Sequence, residues 1–141
     1  MRPTGTPIGL QLALTSKAVA RAFGAALTEV GGSLPTWLVL TSLRDGDPRT
    51  QLDLARAVGV EGPTLTRHLD TLEAAGLVER HRDTGDRRAV RVELTDAGVQ
   101  LHGVLLTAAI AFNKRLTAGM SDAELKRIAD GLVRLEQNVR D

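Results

Sequence analysis

Apolar residues recur with helical spacing in six stretches of this chain and with strand alternation in one. From Ile8 onward, Leu12, Val19, Phe23, Leu27 and Val30 share one helical face, with Leu10, Leu14 and Ala20 beside them. Gly31-Gly32 ends that run, because glycine accommodates the left-handed backbone that closes a helix. The pattern predicts a long first helix over residues 8–31. Ser33 is placed to cap a second helix, with Pro35 in its first turn and a broad apolar face of Trp37, Leu38, Leu40 and Leu43. Arg44-Asp45-Gly46-Asp47-Pro48 reads as a turn.

Thr50 to Asp53 has the form of a capping box with Asp in place of the usual Glu. It opens a short third helix carrying Leu52, Leu54, Ala55 and Val58, which Gly59 breaks. Pro63 fits the first turn of a fourth helix, over about residues 62–75, whose inward stripe is Leu65, Leu69 and Leu72. Two short helices joined by a glycine-containing turn make a helix-turn-helix. After Gly76, residues 77–82 and 89–94 predict two strands. In the second, Val90, Val92 and Leu94 alternate with Arg91 and Glu93, the period of a half-buried strand. The loop between them, Asp83-Thr84-Gly85-Asp86-Arg87-Arg88, is rich in turn formers. Thr95 is placed to cap a long fifth helix bearing Val99, Val104, Leu105, Ala108, Phe112 and Leu116, closed by Gly119. Ser121-Asp122-Ala123-Glu124 is a full capping box. The sixth helix sets Leu125, Ile128, Leu132, Leu135 and Val139 on a heptad seam. The fold class is mainly α (α+β).

Composition narrows the chemistry. At 141 residues the chain is long enough for one domain with a core, and with two Phe, one Trp and no Tyr that core must be Leu, Val, Ala and Ile. The absence of Cys excludes disulfides and thiolate metal sites. No apolar run approaches a membrane span, and Gln11, Ser16 and Lys17 interrupt the N-terminal stretch that a secretory signal would need, so a cytoplasmic protein without membrane contact is expected. His68, His81 and His102 lack metal-ligand spacing, and no phosphate-cradling glycine loop occurs, so neither an enzyme nor a cofactor is expected. The formal charge of +1 means that any basic patch must be local.

Two local patches stand out. On the fourth helix, Thr64, Thr66, Arg67 and His68 avoid the leucine stripe and point outward near the N-terminal end. A helix entering a DNA major groove needs such a face: Arg binds guanine bidentately, and Thr reaches a phosphate or a thymine methyl. The helix N-terminus adds positive dipole beside phosphates. Across the short segment from Glu79 to Arg91, Arg80, Arg82, Arg87, Arg88 and Arg91 with His81 oppose only Glu79, Asp83 and Asp86. Arg at a loop tip suits a narrow minor groove, and Asp86 is placed to brace Arg88. The alternative for both patches is an ordinary solvated surface.

The motifs then become specific. Asp86-Arg87-Arg88-Ala89-Val90-Arg91-Val92-Glu93-Leu94-Thr95-Asp96-Ala97-Gly98 resembles the wing signature D-R-R-x-x-x-V-x-L-T-x-x-G of the MarR family. Leu72-Glu73-Ala74-Ala75-Gly76-Leu77-Val78-Glu79-Arg80 is similar to that family's L-E-x-x-G-L-V-x-R. The resemblance implies a single MarR-type domain over 1–141, a winged helix-turn-helix lobe over 33–95 with its recognition helix at about 62–75 and wing at about 77–94, and dimerisation helices over 8–31 and 96–140. It implies a homodimer that binds double-stranded DNA at a palindromic operator and represses transcription. Groove reading falls to Thr64, Thr66, Arg67 and His68. The wing role falls to Arg88, with Asp86 as brace, Arg87 on phosphate and Arg82 nearby. A two-fold dimer must set its reading helices about one DNA turn apart, ~34–36 Å, and long helices can hold that distance.

The family also implies a small aromatic or phenolic effector in a crevice bordered by the helices that carry Trp37 and His102. For Trp37 the alternative is a core residue, and for His102 a core or surface histidine. The competing function is a winged-helix protein- or RNA-binding module without operator specificity.

Overall fold

The computed structural model describes residues 5–45, 49–82, 84–85 and 89–140. Gly46, Asp47 and Pro48 of the expected turn, and Asp83, Asp86, Arg87 and Arg88 of the hairpin loop, lie outside the described residues. The elements run α1 (Ile8–Glu29), α2 (Leu34–Arg44), β1 (Arg49–Thr50), α3 (Gln51–Val58), α4 (Gly62–Ala74), β2 (Val78–Arg82), β3 (Val90–Leu94), α5 (Asp96–Leu116) and α6 (Asp122–Val139). The chain divides into two compact units, Met1–Ala109 and Ile110–Asp141, with the boundary inside α5.

Caps set most helix ends. Ser33 accepts from the Thr36 amide, Thr50 from the Asp53 amide and Thr95 from the Gly98 amide, each satisfying a donor that the first turn leaves unpaired. Ser121 and Glu124 close both halves of a capping box. Gly59 and Gly76 take positive φ of 79° and 75° after α3 and α4, turning the chain where a side chain would be strained.

The first unit has a core of leucine and valine: Leu27 from α1, Val39, Leu40 and Leu43 from α2, Leu54 from α3, Leu65, Leu69 and Leu72 from α4, Val78, Val92 and Leu105. The predicted inward stripe of α4 is therefore the buried one. The sheet is antiparallel in the order β1-β3-β2, with Val78 opposite Leu94 and Arg82 opposite Val90. It has one strand more than the apolar pattern predicts. The two residues of β1 are too few to carry a period, and they form because Arg49 and Thr50 meet Val92 and Arg91 as the chain enters α3.

The second unit packs little of itself. Phe112 is buried, with the Arg115 guanidinium 5.9 Å from its ring centre, but no residue of α6 is buried. The heptad seam of α6 leaves Ile128 48% and Leu132 45% exposed. In the first unit, the start of α1 exposes Ile8, Leu10 and Leu14. No helix among the described residues is long and apolar enough to cross a membrane.

Candidate nucleic-acid interface

Helix α4 presents one face to the core and another to solvent. Arg67 is exposed, while Thr64, Thr66 and His68 are half-buried along its flanks. Glu61 at the N-cap makes no side-chain cap bond, so the first turn of α4 keeps amide donors that its own cap does not occupy. That is the polarity an anionic backbone meets favourably.

Thr66 differs from the simple outward reading. Its hydroxyl donates to the Gly62 carbonyl at 3.0 Å and accepts from Gln51 Nε2 at 2.7 Å, so its proton is already spent within the protein. Gln51, at the start of α3, escaped the sequence reading. Its signal was a side-chain amide directly after a helix cap.

The hairpin is less basic on its surface than its composition suggests. Arg80 on β2 turns back onto α4, where its Nη2 lies 2.6 Å from Asp70 Oδ1 and 3.1 Å from Glu73 Oε1. The Arg80 amide also donates to Glu73 Oε2 at 3.1 Å. The side-chain hydrogen bond from Arg80 holds the Glu73 carboxyl below its ordinary value, and Glu73 and Asp70 hold the Arg80 guanidinium above its own. Arg80 is thus a brace between α4 and β2 rather than a free cation. Asp70 and Glu73 stand three residues apart on one helical face, which was the clue. His81 Nε2 lies 3.2 Å from Glu93 Oε2, so His81 too faces a carboxylate. Arg82, at the end of β2, is exposed. Asp86, Arg87 and Arg88 lie outside the described residues.

Trp37 and His102 come together. Their rings stack nearly parallel, 4° apart in plane with centroids at 5.5 Å, and Phe23 meets Trp37 edge-on at 6.3 Å. His102 is 7% exposed, so it belongs to the interior of the first unit. One turn beyond Trp37 on α2, the Thr41 hydroxyl is buried and has no hydrogen-bond partner among the described residues. No group of His, Asp or Glu among the described residues is arranged to hold a metal ion.

Comparison with known proteins places this geometry. Residues 33–90 match the model of the MarR family. The crystal structure of the transcriptional regulator PA3341 superposes with a TM-score of 0.82 at 36% identity, over 94% of this chain and 98% of that one. A MarR variant from E. coli, complexed with operator DNA, gives a TM-score of 0.85 at 25% identity over 92% of this chain and 93% of its own. The transcriptional repressor CouR, bound to a 23-mer DNA duplex, gives 0.85 at 25% identity over 92% of both chains.

Proposed function

The chain belongs to the MarR family, and from that premise we propose that it is a DNA-binding transcriptional regulator, a homodimeric repressor that reads a palindromic operator and responds to a small ligand. The observation that carries the DNA reading is α4, with Arg67 exposed, Thr64 and His68 beside it and Arg82 on the adjoining strand. The MarR variant and CouR, both similar to this chain, were each solved with DNA.

In this mechanism the lobe over 33–95 reads DNA. Helix α4 enters the major groove, with Arg67 contacting a guanine edge and Thr64 and His68 the neighbouring phosphates or bases. The wing reaches the minor groove through Arg88, which Asp86 braces, with Arg87 and Arg82 on phosphate. The helices over 8–31 and 96–140 join two copies. Apolar residues left in water on α1 and α6 give that joining its driving force. Effector response, to a small aromatic or phenolic molecule, is assigned to the crevice bordered by the helices that carry Trp37 and His102, whose rings stack on one another. Such a ligand acts only by preferring a dimer whose reading heads are misspaced.

The test is fluorescence anisotropy against duplexes selected by the protein from a random pool. Affinity should fall steeply with salt, and Arg67→Ala should cost about 1–3 kcal/mol at one base position while other positions stay discriminated. Binding that is equal for every sequence would overturn the operator reading. Arg88→Ala should weaken the selected duplex about tenfold or more with the oligomeric state unchanged. Undiminished affinity in that variant removes Arg88 from the wing contact.

A further inference from the structure

We infer that Gln51 is a positioning residue for base reading, acting through Thr66. The inference rests on α4 being the groove-reading helix, and it adds to that reading a residue from the helix before it.

The chemistry of the contact is closed by donor counting. The Gly62 carbonyl can only accept, so the single Thr66 proton is committed to it at 3.0 Å. Whatever faces the other side of that oxygen must donate. Gln51 Nε2 does so at 2.7 Å, which fixes which end of the Gln51 amide points at α4. A helical threonine alone divides its time between rotamers. Two hydrogen bonds to the one oxygen hold Thr66 in one of them. The hydroxyl cannot donate to a base without breaking the Gly62 bond, so Thr66 reads only by its methyl group or its remaining lone pair.

The contact lies outside the hydrophobic core. Leu54, Ala55, Leu65 and Leu69 already pack α3 against α4, and all four are buried. Gln51 and Thr66 are only half-buried, and Thr66 flanks the exposed Arg67 on α4. A tie that core packing does not require, placed on the face that meets DNA, sets a rotamer rather than the fold. Gln51 sits 15 residues from Thr66 in sequence, so the tie also holds the start of α3 in register with the reading face.

The experiment uses the full-length protein, the duplex it selects from a random-sequence pool, and the set of single base-pair variants of that duplex. Gln51→Ala, Gln51→Glu, Thr66→Val and the double variant Gln51→Ala/Thr66→Val are compared. Gln51→Glu keeps the side-chain length but cannot donate to Thr66, and so serves should the alanine variant fold poorly. The expected result is about a tenfold loss of discrimination at one position of each half-site in either Gln51 variant, with thermal midpoint and salt slope unchanged. In the Thr66→Val background, Gln51→Ala should change discrimination no further, because the two residues act as one unit. Unaltered discrimination in both Gln51 variants, or additive effects in the double variant, overturns the inference. Uniform weakening across all base variants also overturns it, since Gln51 would then be a phosphate contact. Should the wild-type protein enrich no sequence at all, the groove-reading role of α4 falls, and the inference with it.

Discussion

Gly98→Ala is expected to destabilise the protein by about 3 kcal/mol, even though alanine is the better helix former by up to ~1 kcal/mol. Gly98 lies in the first turn of α5, where a β-carbon would sit 2.1 Å from the Leu77 carbonyl oxygen and 3.2 Å from Leu94 Cδ2. The obstacle is backbone, so no rotamer change relieves it. The same carbonyl accepts the Thr95 amide at 3.1 Å, the Thr95 hydroxyl donates to the Gly76 carbonyl at 2.6 Å, and the Gly98 amide donates to Thr95 Oγ1 at 3.1 Å. Three elements meet there: the turn leaving α4, the end of β3 and the start of α5. Pushing them apart weakens those hydrogen bonds, at ~1 kcal/mol each, on top of the overpacking. Gly103, also on α5, has open space at its β-carbon position, so Gly103→Ala should be neutral or mildly stabilising. Urea denaturation of both variants at equal protein concentration checks the contrast. Equal effects would mean that the close approach at Leu77 carries no strain.

The same junction shows how far the sequence could be read. Thr95 as a cap and Gly76 as a turn were legible, because each depends on one residue type at one place along the chain. So were Ser33, Thr50 and Ser121, and the leucine stripe of α4. What escaped depends on the angle at which elements meet. That Gly98 faces Leu77, that Gln51 reaches Thr66 across 15 residues, and that Arg80 folds back onto Asp70 and Glu73 are all tertiary facts. Composition counted Arg80 toward a basic wing, whereas its geometry uses that charge inside the protein. Trp37 and His102 were legible as single aromatic positions on separate helices. Their stacking, and the burial of His102, follow from how α2 and α5 pack.

Leu132→Glu should convert the protein to a monomer and cut its affinity for the selected duplex by about two orders of magnitude or more, while leaving each chain folded. Leu132 is 45% exposed in the single chain, so a charge there meets water and costs its own fold little. Its neighbours along the seam, Ile128 at 48% and Val139 at 79%, are exposed too, and Leu125 and Leu135 are half-buried. In the proposed homodimer a second copy covers this run of apolar residues at heptad spacing, and a carboxylate buried in that contact would have no compensating partner. The loss on DNA is large because it is a loss of linkage. One half-site then binds without the high local concentration that the first contact confers on the second. Sedimentation velocity measures the first effect and anisotropy the second, on the same preparation. A variant that is monomeric yet binds the full duplex as tightly as the wild type would mean that one copy of α4 and its wing suffices, and that the apolar helices serve something other than spacing. A variant that stays dimeric would place the joining face elsewhere, with Ile8, Leu10 and Leu14 of α1 as the next surface to charge.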